Sequence, residues 1–393
     1  MQITLLLDYL PTRPTGGPLG VAYDTVEGLK KNHRKLEHED VHIHIMSTTG
    51  TSLHSVHEKD DTYGNISYEY FRPLVPNAIL SDVNYLYHIK KGNRTIDLLH
   101  SHDISGSLVG TLLKIPTLLT LHGMVWKERD FYQGWYTRFT FRLHMQRIRY
   151  ASRRVKKIIA ISPYVREELG RFLKTGIPDT EVIENPLSEV FFEQEKREKE
   201  GLILYPAYLN HLKNQYTLIE ALHRLKKDNI RFHCILPGLI RDFAYYTRLQ
   251  KLIRTCDLEE NVTIPGPLPL EQMLRLYSEA SIVVMTSYQE TAPLVITEAM
   301  ATGTPVIASR ISGIPFLVSE GNSGFLINPQ DPREIADKIT LLLDDGALRK
   351  KFQNESRNIA ISRWKSEIIT NKILDVYVRQ VGKARSQGEG KRV

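Results

Sequence analysis

Cysteine is nearly absent: the chain of 393 residues has two, Cys234 and Cys256, too few for a disulfide framework or a thiolate metal cluster. Both sit in apolar or helical contexts and read as inert thiols, as expected in a reducing cytosol. Long apolar runs are also missing, none approaching the roughly 20 residues that a membrane helix needs. The opening MQITLLLDYL is too short for a signal core and is broken by Asp8, so a first β-strand is expected there. No Asp-x-Asp is placed as a metal-ligand motif, no repeat of solenoid period is present, and no segment is of low complexity. Disulfide scaffolds, helical membrane proteins and repeat arrays are thereby set aside.

Apolar residues make up 41% of the chain and charged residues 25%, values of a globular protein with room for two domains, each with its own core. The net charge of +7 leaves nucleic acid, anionic lipid and phosphorylated ligands open as partners. Through the first half, strand-like and helix-like segments alternate in a doubly wound manner. Strands are expected at Ile3–Leu7, Val41–Met46, Asp97–His102, Thr117–Gly123 and Lys157–Ile161. A Gly/Pro-rich loop, Pro11–Gly20, follows the first of them and leads into a helix ending near Lys35. His42 and His44 alternate within their strand and read as strand surface rather than as a metal pair. Ser162 is placed to cap a helix over Pro163–Phe172.

The second half continues the pattern. A strand at Leu202–Tyr205 and a loop at Pro206–Asn214 lead into a helix ending at Lys227. A strand at Arg231–Leu236, a helix at Tyr245–Thr255, a strand at Val262–Ile264, a turn at Pro265–Pro267 and a helix at Leu270–Glu279 come next. The most informative stretch is Ser281–Pro329. Ile282–Met285 reads as a buried parallel strand, Thr286–Thr291 as a polar turn, and Leu294–Thr302 as a helix, with Pro293 where it begins, at a position that needs no N–H donor. Gly303 suits a left-handed cap, and Pro305–Ser309 starts the next strand. The loop thus lies at the carboxyl end of a strand, where open α/β sheets bind ligands. The N–H groups of Thr291, Ala292, Leu294 and Val295 form an anion site that suits a phosphate. Glu290 and Glu298 flank it and are better used to accept hydroxyls, from a sugar and from a ribose. The plainer alternative is a capping Glu290 and a solvated Glu298.

The run E-T-A-P-L-V-I-T-E-A-M-A-T-G-T-P-V-I-A-S, continued by Gly313, Gly324 and Pro329, resembles the E-x7-E signature of the retaining glycosyltransferases of family 4. The resemblance implies the GT-B fold: two Rossmann-like, doubly wound α/β domains facing a central cleft. Residues 1–190 would form the acceptor-side domain and 191–365 the nucleotide-sugar domain. A helix within 366–393 would cross back to the first domain and end in a basic tail. By the same resemblance Glu290 faces the donor sugar, Glu298 holds the ribose, and the loop Thr291, Ala292, Pro293, Leu294 contacts sugar and phosphate. Gly16 and Gly17 look like the glycine-rich loop near the donor phosphates, and His122 resembles the strand-end histidine that faces the donor. Base contacts would come from backbone around Pro265. Lys213 resembles the lysine of the family's G-R-L-x-x-x-K segment, a diphosphate ligand and part of the catalytic set with Glu290 and His122. Two departures stand out: Thr291-Ala292-Pro293 replaces the usual Gly-Phe-Gly, and Tyr208 replaces the diphosphate arginine, for which Arg241 or Arg310 could substitute. The resemblance implies a nucleotide-diphosphate sugar as donor, a glycan or lipid-linked acceptor, and no metal cofactor.

Two further segments are distinctive. Trp126–Tyr150 is helix-like, aromatic and basic, and continues into Arg153, Arg154, Lys156 and Lys157. It can be a solvated face over aromatics packed on the sheet, or a helix lying on an anionic membrane surface, with Trp135–Arg149 as the contact. A nucleic-acid surface needs the same residues, but no recognition motif accompanies them and none is expected. Glu193–Glu200 is a charge-mixed run that suits an interdomain linker. The resulting expectation is a cytoplasmic transferase, possible at the inner face of a membrane, working in surface polysaccharide or glycolipid synthesis. The competing readings are a GT-B epimerase or phosphorylase, a non-catalytic sugar-nucleotide binder, and a basic nucleic-acid binder.

Overall fold

A computed structural model describes residues 1–8, 13–14, 17–47, 56–59, 64–71, 81–92, 94–128, 135–174 and 176–386. The chain divides into two compact units, one holding Met1–Arg13, Pro18–Pro186 and Ser366–Val393, the other Leu187–Lys365 together with Pro14–Gly17. No helix among the described residues is long and apolar enough to cross a membrane.

The first unit is built on β1 (Gln2–Leu6), β2 (His42–Ser47), β3 (Val56–Lys59), β4 (Ile66–Tyr70), β5 (Leu98–Ser101), β6 (Thr117–Leu121), β7 (Lys157–Ala160) and β8 (Thr180–Val182). They lie in the order β3-β4-β2-β1-β5-β6-β7-β8, parallel throughout except for β3 against β4. Their short apolar runs are buried on both faces, as parallel strands covered by helices must be. Strands β4 and β8 escape sequence reasoning because ISYEY and TEV carry no apolar run. The helix expected to begin after Gly20 already begins at Gly17 and breaks at Asn32, running Gly17–Lys31 and then His33–His38. His42 and His44 part company: His42 meets exposed Asp40, whereas His44 bonds Ser67 Oγ at 2.9 Å and Glu69 Oε2 at 3.1 Å in a half-buried setting.

Helix Ser366–Ser386 belongs to this first unit. Its Ile369, Ile373, Leu374, Val376 and Tyr377 join the core made by β1, β2 and their neighbours. The Tyr377 hydroxyl meets His100 Nδ1 at 2.6 Å, and Lys35 Nζ donates to Asp375. The last residues of the expected basic tail, 387–393, lie outside the described residues.

In the basic aromatic segment, helices span Val125–Glu128 and Trp135–Ser152. Packing reverses part of the solvated-face expectation. Phe139 is 61% exposed, Leu143 and Tyr150 also face outward, and Arg142 and Gln146 lie on the same stripe. Arg147 turns to Asp82 and Ser105, and the Arg149 guanidinium stacks on Phe172 at 4.5 Å.

The second unit carries β9 (Leu202–Leu204), β10 (His233–Pro237), β11 (Val262–Gly266), β12 (Ile282–Met285), β13 (Val306–Ser309) and β14 (Gly324–Ile327), all parallel, in the order β11-β10-β9-β12-β13-β14. The chain winds outward from β9 one way and from β12 the other, so the order reverses between these two strands. Pro265 lies within edge strand β11 rather than in the expected turn, where its missing N–H costs no ladder bond on the open side.

The charged run taken above as a linker is part of this unit. Phe191 and Phe192 enter its core, and of the charges that follow Lys196 and Glu198 are partly buried while Glu193, Glu195, Arg197, Lys199 and Glu200 face solvent. Lys196 Nζ donates to the carbonyls of Tyr277 and Ala280 and to Thr304 Oγ1. Glu198 accepts from Arg349 Nε at 2.6 Å and from the Gln353 amide. Charge alternation reads as solvation only when no partner is waiting on the fold, and here each of these two charges has one.

Candidate active site

The loops that follow β9 and β12 meet where the strand order reverses, the position at which doubly wound sheets hold their ligands. Asn214 ties them together. It is buried, sits in the left-handed region at φ 51°, and donates to the carbonyls of Thr286 at 3.1 Å and Pro329 at 2.8 Å. Its own carbonyl accepts from Thr286 Oγ1 at 2.7 Å, and Tyr288 N donates to the Leu212 carbonyl at 2.8 Å. The buried Tyr205 hydroxyl donates to the Lys213 carbonyl and meets Ser287 Oγ at 3.1 Å. Burial raises the pKa of that phenol, so it remains a donor. Sequence reasoning missed Asn214; the available signal was an asparagine just after the loop lysine, at a site where the chain must enter αL.

This clamp brings Lys213 and Glu290 together, with Nζ 2.5 Å from Oε1 and the side chains 18% and 10% exposed. Two residues 77 positions apart in sequence thus form one ion pair at the carboxyl edge of the sheet. Behind it, Gly313 N donates to the Glu290 carbonyl at 3.0 Å. A Cβ at Gly313 would lie 1.7 Å from the Thr291 carbonyl oxygen, so only glycine lets the two backbones approach this closely.

Helix Leu294–Ala301 starts directly after this loop. Pro293 is its N-cap: at φ −68° and ψ 121° its backbone is extended, and Leu294 opens the helix, as expected. The Ile296 amide reaches back to the Pro293 carbonyl at 3.2 Å, while the amides of Ala292, Leu294 and Val295 meet no acceptor among the described residues. These are the free donors of a helix start, beside a lysine and a carboxylate.

Glu298 is not the solvated helix residue of the plainer reading. It is 4% exposed, and its Oε2 accepts the Tyr277 hydroxyl at 2.7 Å. Tyr277 is held in turn, its carbonyl accepting from Thr304 Oγ1 at 2.7 Å and from Lys196 Nζ at 3.2 Å. Burial pushes the Lys196 pKa down to about 7, with Glu198 pulling the other way. Neither Tyr277 nor Lys196 could be singled out from sequence, because the one looks like core and the other like a charge run.

Tyr208 is 46% exposed on the β9 loop, with its carbonyl bonded to Gln215 Nε2 at 2.9 Å. The Arg241 guanidinium lies over its ring at 4.7 Å. Arg310 turns instead to the Leu326 carbonyl and to Glu334. Pro265 is exposed on β11, next to Gly266, whose carbonyl accepts from Gly238 N at 2.9 Å.

His122 belongs to the first unit, immediately after β6. Its Nε2 lies 2.9 Å from His102 Nδ1, and the His100 ring sits tilted at 45° against His102, with centroids 4.7 Å apart. Burial lowers the His122 pKa to about 4, the Asn185 side chain opposing weakly, and lowers that of His100 to about 3. All three rings are neutral at pH 7, so His122 carries no charge there. Gly17 opens the first helix at φ 67°, and Gly16 lies outside the described residues.

Comparison with known proteins covers nearly the whole chain. The pattern of the family described as Glycosyl transferases group 1 matches residues 188–359, and that of Glycosyltransferase Family 4 matches residues 25–189. A D-inositol 3-phosphate glycosyltransferase of Corynebacterium efficiens is 37% identical over 120 residues, 30% of this chain and 26% of that protein. The chain therefore spans about a quarter of the length of the curated relatives it matches first. Sucrose-phosphate synthase from Thermosynechococcus elongatus superposes with a TM-score of 0.76 at 20% identity, covering 98% of this chain and 99% of that one. Anabaena HepE in complex with UDP-glucose superposes with a TM-score of 0.69 at 19% identity, covering 96% and 99%. Two parallel-sheet units, each matched by its own pattern, place the chain in the family 4 glycosyltransferases, with their GT-B fold.

Proposed function

We propose that this protein transfers a sugar, with retention of anomeric configuration, from a nucleotide-diphosphate sugar to a glycan or lipid-linked acceptor. The observation that carries the reading is the meeting of Lys213, Glu290 and the unbonded amides of helix Leu294–Ala301 at one sheet edge. As the anomeric C–O bond breaks, its electron pair goes to the departing diphosphate oxygen. The growing negative charge is met by the Lys213 ammonium and by the helix-start amides, both strongest where charge develops. The sugar becomes cationic, and Glu290 accepts one of its hydroxyls and steadies that charge. Glu298, presented from beneath with Tyr277, is assigned to the ribose, and backbone at Pro265 to the base. His122 is assigned to face the donor, where its neutral ring does not oppose a cationic transition state. HepE, a fold relative, holds UDP-glucose, which makes a uridine nucleotide the first donor to try.

The reaction is proposed to need no metal, since lysine and helix start supply the positive charge. The outward stripe of Phe139, Arg142, Leu143 and Tyr150 is assigned to an anionic membrane surface, which would place the protein at the inner face of a membrane, in polysaccharide or glycolipid assembly. The test is incubation with UDP-, GDP- and ADP-sugars, with and without EDTA, following nucleoside diphosphate release and the glycosylated product. Release with acceptor glycosylation that survives EDTA is expected. A free sugar phosphate or an epimerised donor as the only product would assign the site to a phosphorylase or an epimerase instead.

A further inference from the structure

Arg241 is exposed on the loop that follows β10, and no ion pair among the described residues neutralises it. Its guanidinium makes no hydrogen bond or ion pair among the described residues; its recorded contact is the Tyr208 ring, 4.7 Å below. The neighbouring carboxylate is already engaged, because Asp242 caps helix Phe243–Thr255 by accepting from Tyr245 N at 2.9 Å. A guanidinium that lies over an aromatic ring and has no hydrogen-bond partner keeps its N–H donors available as a planar fork, the form that matches a phosphate.

The backbone beneath this stack is fixed from several sides. Leu209 N donates to the Leu239 carbonyl at 3.0 Å and Arg241 N to the Leu209 carbonyl at 3.1 Å, around an isolated parallel bridge between Leu209 and Ile240. Gly238 packs so closely on the β9 loop that a Cβ there would fall 1.8 Å from the Ala207 carbonyl oxygen. Tyr208 and Lys213 lie in the same short loop, which the Gln215 side chain closes by bonding the Tyr208 carbonyl. Arg241 is therefore held at the loop that presents Lys213, and it is uncommitted where Lys213 is paired with Glu290.

We infer that Arg241, seated on Tyr208, binds the diphosphate of the nucleotide ligand, and that Tyr208 acts as its platform rather than as a ligand. This rests on the reading of the site as a nucleoside diphosphate site. Tyr208 therefore contributes through its ring and not through its hydroxyl. Both side chains are exposed, so changing them leaves the core intact, and the melting temperature serves as the control.

The experiment is calorimetric titration of the full chain with UDP, GDP and ADP, carrying the tightest forward together with its nucleoside and monophosphate. Arg241→Gln is expected to weaken the diphosphate about tenfold, with the nucleoside unchanged and the salt dependence shallower. Tyr208→Phe keeps the platform and should match the parent, whereas Tyr208→Leu should lose several-fold. Diphosphate affinity of Arg241→Gln within about twofold of the parent overturns the inference. Equal losses for nucleoside and diphosphate overturn it too, since they place Arg241 at the base. Failure of the parent to bind any of the three diphosphates overturns the nucleotide-sugar reading itself, and the inference with it.

Discussion

Replacing Glu290 by glutamine should tighten the binding of free nucleoside diphosphate, although Glu290 belongs to the proposed catalytic set. In the structure its carboxylate meets the Lys213 ammonium at 2.5 Å, with both side chains largely out of solvent. A diphosphate must take that lysine away from the glutamate. A charge-assisted hydrogen bond of this kind contributes about 1.5–3 kcal/mol. Glutamine keeps a carbonyl acceptor, so part of that interaction survives and about 1–2 kcal/mol is released, a factor of about 5 to 30 in affinity. An intact nucleotide sugar gains less, because its sugar hydroxyl loses the carboxylate it would have met, and turnover falls. The measurement is titration with UDP and UDP-glucose at low ionic strength for Glu290→Gln, Lys213→Ala and the double variant. The gain should vanish in the Lys213→Ala background, which removes the group being competed for. A Glu290→Gln protein that binds the diphosphate no more tightly than the parent would refute the exchange.

Glu298→Gln should weaken diphosphate and nucleotide sugar alike, because a ribose contact is present in ground and transition states; a loss confined to turnover would remove Glu298 from the ribose. His100 and His122, with folded pKa values of about 3 and about 4, bind protons near pH 6.5 once unfolded. Their contribution is complete above about pH 6.5 and fades as acid carries the protein toward pH 4, by up to about 1.4 kcal/mol per pH unit for each. His122→Gln should flatten denaturation midpoints over that window, and slopes parallel to the parent would exclude its titration as a cause. Phe139→Ser with Arg142→Glu and Leu143→Ser should abolish salt-sensitive sedimentation with anionic vesicles at an unchanged melting temperature. Arg149→Glu should lower the melting temperature instead, since it breaks the stack on Phe172; retained sedimentation in the triple variant would return the stripe to ordinary solvated surface.

The chain's periodicity determined most of its architecture. Runs such as Ile282–Met285 and Val306–Ser309 can only be strands buried on both faces, and their alternation with amphipathic helices dictates a doubly wound fold. Local chemistry was equally legible at Gly303, left-handed at φ 71°, and at the helix start of Leu294, because glycine and the cap of a helix act over a few residues. What sequence could not supply was partnership at long range. Lys196 and Glu198 read as linker charges until the fold set carbonyls and Arg349 against them. Arg149 read as solvated until Phe172 came beneath it. Lys213 and Glu290 each carried a role by resemblance, yet their pairing depends on β9 and β12 lying side by side at the reversal of the sheet. The same holds for Arg241 over Tyr208, which two loops joined at Leu209 bring together. Short-range steric and hydrophobic preferences are written residue by residue, whereas the pairing of charges across the sheet edge depends on strand order, which only the folded chain decides.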